Sequence, residues 1–328
     1  MMKKIQIAVS LLISVVCLYF AFRNIDWVET WEAIKRANYL YLLLTVFVTL
    51  GSVWLRSFRW KFMLDPIRKV PVGGLYESTM IGFMANNVLP ARLGEFVRAY
   101  AVGRAHGVSK SAAFATIVIE RAFDMLTLVF CLGLVLLLVQ LSPGIKLMGI
   151  VAIVVTFLMF GVLVFFRQRR DLVAKLVDRL TRSLPEASRS RGERLLHSFI
   201  DGLEVLARGG HIAAIIGLSL LMWASVMLSF DLAMRAFGLP VPLYASMVLL
   251  VVVSLGLMIP SGPGFAGTFE AAMIWALLLF PGVSKEQAAS CAIMYHATQF
   301  VPITAFGLYY LWKSNLSLTD ASRDGGAG

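Results

Sequence analysis

Residues 86–98 read Asn86-Asn87-Val88-Leu89-Pro90-Ala91-Arg92-Leu93-Gly94-Glu95-Phe96-Val97-Arg98, inside a chain that is otherwise close to continuously apolar. The run sets helix breakers and charges between stretches suited to a membrane. An Arg or a carboxylate at the centre of a spanning helix costs roughly 2.5 to 3.5 kcal/mol on insertion scales, so such groups face a protein interior or an aqueous cavity. A second break comes late in the chain, Pro260-Ser261-Gly262-Pro263-Gly264-Phe265-Ala266-Gly267-Thr268-Phe269-Glu270. Two interrupted hydrophobic segments, one in each half, are the pattern that points to a transporter's binding site.

Composition agrees. Of 328 residues, 59% are hydrophobic and 15% charged, with a mean hydropathy of +0.80, far above a soluble globular chain. In a soluble protein the net charge of +11 would suggest nucleic acid. Here the Lys and Arg residues lie between hydrophobic segments, where they set orientation instead. Cys17, Cys131 and Cys291 each sit within an apolar run and offer neither a disulfide framework nor a metal-ligand spacing, so no cofactor and no metal is expected. Lys3-Lys4 ahead of Ile5 to Phe22 resembles a signal peptide, but no small-residue cleavage site follows, so a retained first helix is expected.

The spans follow in order. Tyr39 to Leu55 is long enough to cross, and Arg56, Arg59, Lys61, Arg68 and Lys69 after it mark a cytoplasmic side. Leu75 to Pro90 and Ala91 to Arg104 are each too short for a comfortable crossing and read as a re-entrant hairpin broken at Pro90. Ala112 to Leu141 crosses outward and Ile145 to Phe166 returns. Residues 167–209 carry ten Lys or Arg against six Asp or Glu between Arg167 and Arg208, with apolar residues at helical spacing. They read as a cytoplasmic amphipathic helical hairpin, lying on the membrane surface or packed on the protein. Ile212 to Phe237, a second hairpin over Leu243 to Ile259 and Gly264 to Phe280, and a last span ending at Trp312 complete the chain. Residues 314–328 read as a disordered tail. The expected fold is all-α and polytopic, with about six full spans plus two broken hairpins in a single membrane domain. Both termini are expected in the cytoplasm.

The halves repeat. Ser52-Val53-Trp54-Leu55-Arg56-Ser57-Phe58 resembles Ser225-Val226-Met227-Leu228-Ser229-Phe230, Leu75-Tyr76-x-Ser78 resembles Leu243-Tyr244-x-Ser246, Glu95 answers Glu270, and Val108-Ser109-Lys110 answers Val283-Ser284-Lys285. Four matches in one order at a nearly constant offset of roughly 170 residues define repeat 1 at about 38–141 and repeat 2 at about 211–313. Three crossings between equivalent spans invert the second copy, so the hairpins should enter from opposite sides with tips meeting near the midplane.

The chain resembles the flippase-like family that includes the transmembrane region of lysylphosphatidylglycerol synthase, from about Val9 to Trp312. The resemblance rests on the Asn-x-x-Leu-Pro-Ala-Arg-x-Gly-Glu run at Asn86 to Glu95, on Glu120-Arg121, and on the Pro-Gly-x-x-Gly-x-x-Glu run at Pro263 to Glu270. A further Gly is common in the family where this chain has Phe265. With no acyltransferase-like domain after Trp312, the resemblance implies lipid handling without aminoacyl-lipid synthesis, and hence no enzyme activity.

Several residues fit that role. Arg92 suits a phosphate, since its planar fork donates two hydrogen bonds, or it pairs with Glu95 to hold the hairpin. Gly94 permits close backbone approach. Glu95 and Glu270 are candidates for proton coupling, or each caps the free amides of the opposite hairpin. Glu120, Arg121 and Asp124 fall within one turn of a spanning helix, must face inward, and correspond to Tyr295, His296 and Gln299. Asn86, Gly264, Gly267 and His296 complete the expected substrate contacts, with Pro90, Gly94, Pro260 and Pro263 as structural breaks. Half-helix N-termini near Pro260 can offer amides to an anion.

The expected function is transport of an anionic phospholipid or a polyprenyl-linked phosphate lipid across a bacterial cytoplasmic (inner) membrane. The partner is that phosphate-bearing lipid and not nucleic acid. The alternatives are a scaffold that recruits a lipid-pathway enzyme through residues 167–209, a lipid-modifying membrane enzyme, and a transporter of a small hydrophilic anion. The oligomeric state is open.

Overall fold

The computed structural model describes residues 2–89, 93–138, 143–169, 172, 173, 178, 179, 193, 195, 197–201, 203, 209–314 and 316. Their regular structure is helical. A bundle of apolar helices follows from the composition, because backbone groups in lipid must be satisfied within the segment.

The first helix, α1 (Met2–Phe22), is followed by the short α2 (Trp27–Arg36), and the pair is bent by 84°. Asp26 makes the corner by accepting from the N–H groups of Val28 and Glu29 at 2.8 and 3.1 Å. On α2, Thr30 and Ile34 are buried while Trp27, Val28 and Trp31 are exposed.

Next comes α3 (Tyr39–Leu64), which continues well past Leu55, where the charges suggested an end. It can do so because Arg56 and Arg59 find carboxylate partners inside the protein. Then α4 (Val72–Val88) and α5 (Gly94–His106) form the first hairpin. A Cβ on Gly94 would strike the Gly82 carbonyl and the Asn86 side chain, and one on Gly82 would meet Arg98, so the two helices pack antiparallel through glycine contacts. Pro90 and Arg92 lie outside the described residues.

The middle of the chain is α6 (Lys110–Leu138) and α7 (Pro143–Gln168). Most of residues 170–208 lie outside the described residues. Within that segment Leu203 is buried against the cluster that holds Trp60 and Ile119, and Phe199 packs on Phe166. The tail beyond residue 316 is likewise outside the described set.

In the second half, α8 (Gly209–Ala236) leads to a hairpin of α9 (Ala245–Gly256) and α10 (Thr268–Leu277), joined through a 3-10 turn at Pro263–Phe265. Gly256 meets Ala272 across it. The long α11 (Lys285–Lys313), capped by the Ser284 hydroxyl, closes the fold.

Four described helices are long and apolar enough to cross a membrane, Tyr39–Leu64, Lys110–Leu138, Lys146–Phe166 and Gly210–Ala236, or five if the bent α1–α2 pair is one span. The expected count of about six differs chiefly at α11. It has the length, but Lys285, Glu286, Gln287, His296 and Gln299 lower its apolar content below that of the other long helices.

Packing sets the directions. Asn38 N–H donates to the Ala236 carbonyl at 2.8 Å while Arg59 reaches Ser219 at 2.7 Å, so α3 and α8 run antiparallel along their length. The α11 helix lies antiparallel to α4, joined by Lys313 with Glu77 at one end and Asn87 with Thr304 at the other. Gly307 has no room for a side chain beside Met84.

Candidate functional site

The hairpin ends meet. Asn87, in the last turn of α4, has its carbonyl beside Gly264 of the 3-10 turn, where a Cβ would come within 3.4 Å of it. Around this meeting point is a cavity of about 290 Å³, with Phe83, Asn86 and Asn87 from the first hairpin, Gly264, Phe265 and Phe269 from the second, Trp223 from α8, and His296, Gln299 and Phe300 from α11. Gly264 and Phe265 both have left-handed backbone, with φ of 66° and 59°. A bulky residue at positive φ is strained, so Phe265 holds a backbone conformation that glycine would adopt freely.

The polar groups at the cavity are largely committed. Asn86 accepts the Gly94 N–H at 2.8 Å and donates to Glu95 at 3.3 Å, so one side chain ties the start of α5 to the end of α4. Asn87 donates to the Thr304 hydroxyl at 2.9 Å. Glu270 accepts the Gly267 N–H at 2.7 Å and contacts His296 Nδ1 at 2.5 Å. Each carboxylate thus serves its own hairpin and not the opposite one. Of the amides expected to offer themselves to an anion at the α10 N-terminus, that of Gly267 already has Glu270 as its acceptor. Gln299 donates to Thr49 of α3 at 2.6 Å.

Glu120, Arg121 and Asp124 form a separate centre toward the far end of α3. Arg56 contacts Glu120 at 2.7 Å and Asp124 at 2.9 Å; Arg59 contacts Asp124 at 2.8 Å; Arg98 contacts Glu120 at 3.0 Å; Arg121 contacts Glu120 at 2.7 Å. The guanidinium carbon of Arg98 is 3.8 Å from the centroid of the Trp60 ring, a cation–π contact that covers one of its faces. Sequence reading assigned Arg56, Arg59 and Arg98 alike to orientation, as basic residues that mark a cytoplasmic side. The signal that could have found them is the carboxylate pair itself: Glu120 and Asp124 share one face of α6 with a single basic neighbour, so their partners had to come from other helices.

Of the residues expected to bind substrate, the cavity gathers Asn86, Gly264 and His296, with Glu95, Gly267 and Glu270 bonded just behind. Glu120, Arg121 and Asp124 belong to the arginine centre, and Arg92 is outside the described residues. Among the described residues no group of His, Cys, Asp and Glu is placed to hold a metal ion.

The description "Lysylphosphatidylglycerol synthase TM region" fits residues 7–307. The chain belongs to this family. Similar proteins within reach of the lysylphosphatidylglycerol synthase transmembrane family include a UPF0104 membrane protein of Methanothermobacter thermautotrophicus, 26% identical over 92% of this chain and 93% of that one. A second is the glycosyltransferase AglD of Haloferax volcanii, 23% identical over 97% of this chain and 56% of its own length. A third is the UPF0104 membrane protein MJ1595 of Methanocaldococcus jannaschii, 25% identical over 39% of this chain and 40% of that protein. This member of the lysylphosphatidylglycerol synthase transmembrane family is therefore a multi-pass membrane protein, and the Haloferax relative carries a further region that the match does not reach.

Proposed function

We propose that this protein is a flippase-like lipid transporter that moves an anionic, phosphate-bearing lipid between membrane leaflets, with its headgroup passing the meeting point of the two hairpins. The observation that carries this reading is the cavity of about 290 Å³ between broken segments drawn from opposite halves of the chain. The antiparallel course of α3 and α8, the equivalent helices of the two repeats, supports an inverted architecture. So does a contact in register: Arg56 meets Glu120 in the first half, and Ser229 meets Tyr295 at 2.8 Å in the second, at corresponding positions.

Lipid tails have a place beside this path. A largely apolar groove of about 370 Å³ lies on the other side of α10, between Cys17 and Phe20 of α1, Leu255 of α9, and Ala272 and Trp275. The same short helix therefore presents Phe269 to the hairpin cavity and Ala272 to the groove. An amphiphile could keep its headgroup beside Asn86 and His296 while its tails run along the groove.

Reconstitution into liposomes tests the reading. Protein-dependent movement of fluorescent anionic phospholipid or polyprenyl phosphate, read by loss of outer-leaflet accessibility, is the expected outcome. Absence of movement for every such lipid would overturn it. The similarity to a protein named a glycosyltransferase favours a second reading, in which the chain is a scaffold beside a glycosyl-transferring enzyme; recovery of that enzyme with the protein, and no lipid movement, would decide for it.

A further inference from the structure

The arginine centre does not balance. Four guanidinium groups, Arg56, Arg59, Arg98 and Arg121, surround two carboxylates, Glu120 and Asp124, and no other acidic side chain among the described residues is bridged to them. Two positive charges are left over where Arg59 and Glu120 are fully buried and Arg98 nearly so. Uncompensated charge in such a place costs several kcal/mol per ion. Water can fill a hydrogen bond there, but it cannot neutralise a charge.

Donors are left over as well. Arg59 Nε and Nη2, Arg98 Nε and Nη2, and Arg121 Nε are buried without a hydrogen-bond partner. Buried polar groups are normally satisfied, and the guanidinium fork is the donor set that matches a tetrahedral oxyanion. The centre is also within reach from outside, since Arg121 is 37% exposed. On its other flank the Arg56 guanidinium lies 5.5 Å from the ring of Phe83, which is itself a wall of the hairpin cavity. One aromatic ring separates the surplus charge from the proposed path.

We propose that Arg56, Arg59, Arg98 and Arg121 form a binding site for a phosphate group, carried on a lipid headgroup or as a free anion, with Glu120 and Asp124 holding the four guanidiniums in position. The two carboxylates cannot themselves discharge the site, and their fixed contacts stop the arginines from dispersing when the anion leaves. The Gly94 and Gly267 amides at the starts of α5 and α10 are taken by Asn86 and Glu270. The arginine centre offers an anion net positive charge and free donors together.

The site rests on the transport reading only for the lipid source of its phosphate, so the test is equilibrium binding. The full chain, purified in detergent, is melted with millimolar inorganic phosphate, with short-chain phosphatidic acid, or with short-chain diacylglycerol, at matched ionic strength. A ligand bound only by the folded state raises Tm with its concentration. We expect a rise of several degrees with phosphatidic acid and none with diacylglycerol. The same rise with inorganic phosphate identifies a free anion as a competent source; its absence identifies the headgroup. Arg121→Gln, at the exposed edge, should weaken the apparent affinity about tenfold, and Arg121→Lys should recover part of it. No rise with either phosphate species, an equal rise with diacylglycerol, or an unchanged response in both Arg121→Gln and Arg56→Gln would overturn the proposal. Binding without lipid movement in liposomes would leave the site standing and sink the transport reading, and movement without binding would do the reverse.

Discussion

Asp124 holds two arginines at once, Arg59 at 2.8 Å and Arg56 at 2.9 Å, and is itself almost fully buried. Removing its charge leaves more positive charge uncompensated in a low-dielectric setting, and breaking a buried pair in this way costs about 3–5 kcal/mol. Asp124→Asn should therefore lower the thermal midpoint of the detergent-solubilised protein by many degrees. Arg235→Gln removes a still shorter ion pair, 2.6 Å to Asp231, from an exposed helix end. It should leave the midpoint where it was, because water already screens that pair. A similar loss in both variants would mean that the buried centre is no more than a set of ordinary ion pairs. The contrast also shows why sequence alone did not find Arg56 and Arg59. Burial of a charge is a property of what surrounds it, and basic residues after an apolar run are explained equally well by orientation.

At the scale of the element, the hairpins are where sequence was most informative. Proline and glycine within apolar runs have few roles in a spanning helix, so the breaks near Pro90 and Pro260 could be read directly, and the hairpin helices fall within a few residues of the expected limits. The partners at the breaks could not. That Asn86 accepts the Gly94 N–H depends on how the chain turns between α4 and α5, and that the Ser14 hydroxyl of α1 accepts the Gly262 N–H at 2.8 Å depends on a contact between distant parts of the chain. Gly94 carries the sharpest prediction here. A methyl group at this position would collide with the Gly82 backbone and with Asn86, so Gly94→Ala must push α4 and α5 apart, at a cost of about 1–3 kcal/mol. Gly51, where a methyl meets nothing within 4 Å, is the control. Gly51→Ala should be neutral or slightly stabilising in the same melting assay, whereas equal effects at the two sites would count against the glycine-mediated contact.

For the whole molecule, the question is whether the two halves enter the membrane from opposite sides. Ser109 and Ser284 stand at equivalent places, each just ahead of a long helix, α6 and α11. Trp60 with Thr116 and Arg56 with Glu120 set α6 antiparallel to α3, while α11 runs antiparallel to α4, and α4 antiparallel to α5. Following α5 through the short turn at Gly107 into α6 then leaves α6 and α11 starting from opposite ends of the bundle. The basic residues around Ser109, Arg104 and Lys110, give that end a cytoplasmic sign by the positive-inside bias. On a background without Cys17, Cys131 and Cys291, an impermeant thiol reagent should label Ser284→Cys in intact cells and reach Ser109→Cys only after permeabilisation. That outcome makes the hairpins gates related by a pseudo-two-fold axis in the membrane plane, so that rocking one half against the other exposes the cavity to each side in turn. Labelling of both from one side would place the hairpins on a common face. The cavity would then be a one-sided pocket, and the scaffold reading would gain what the transport reading lost.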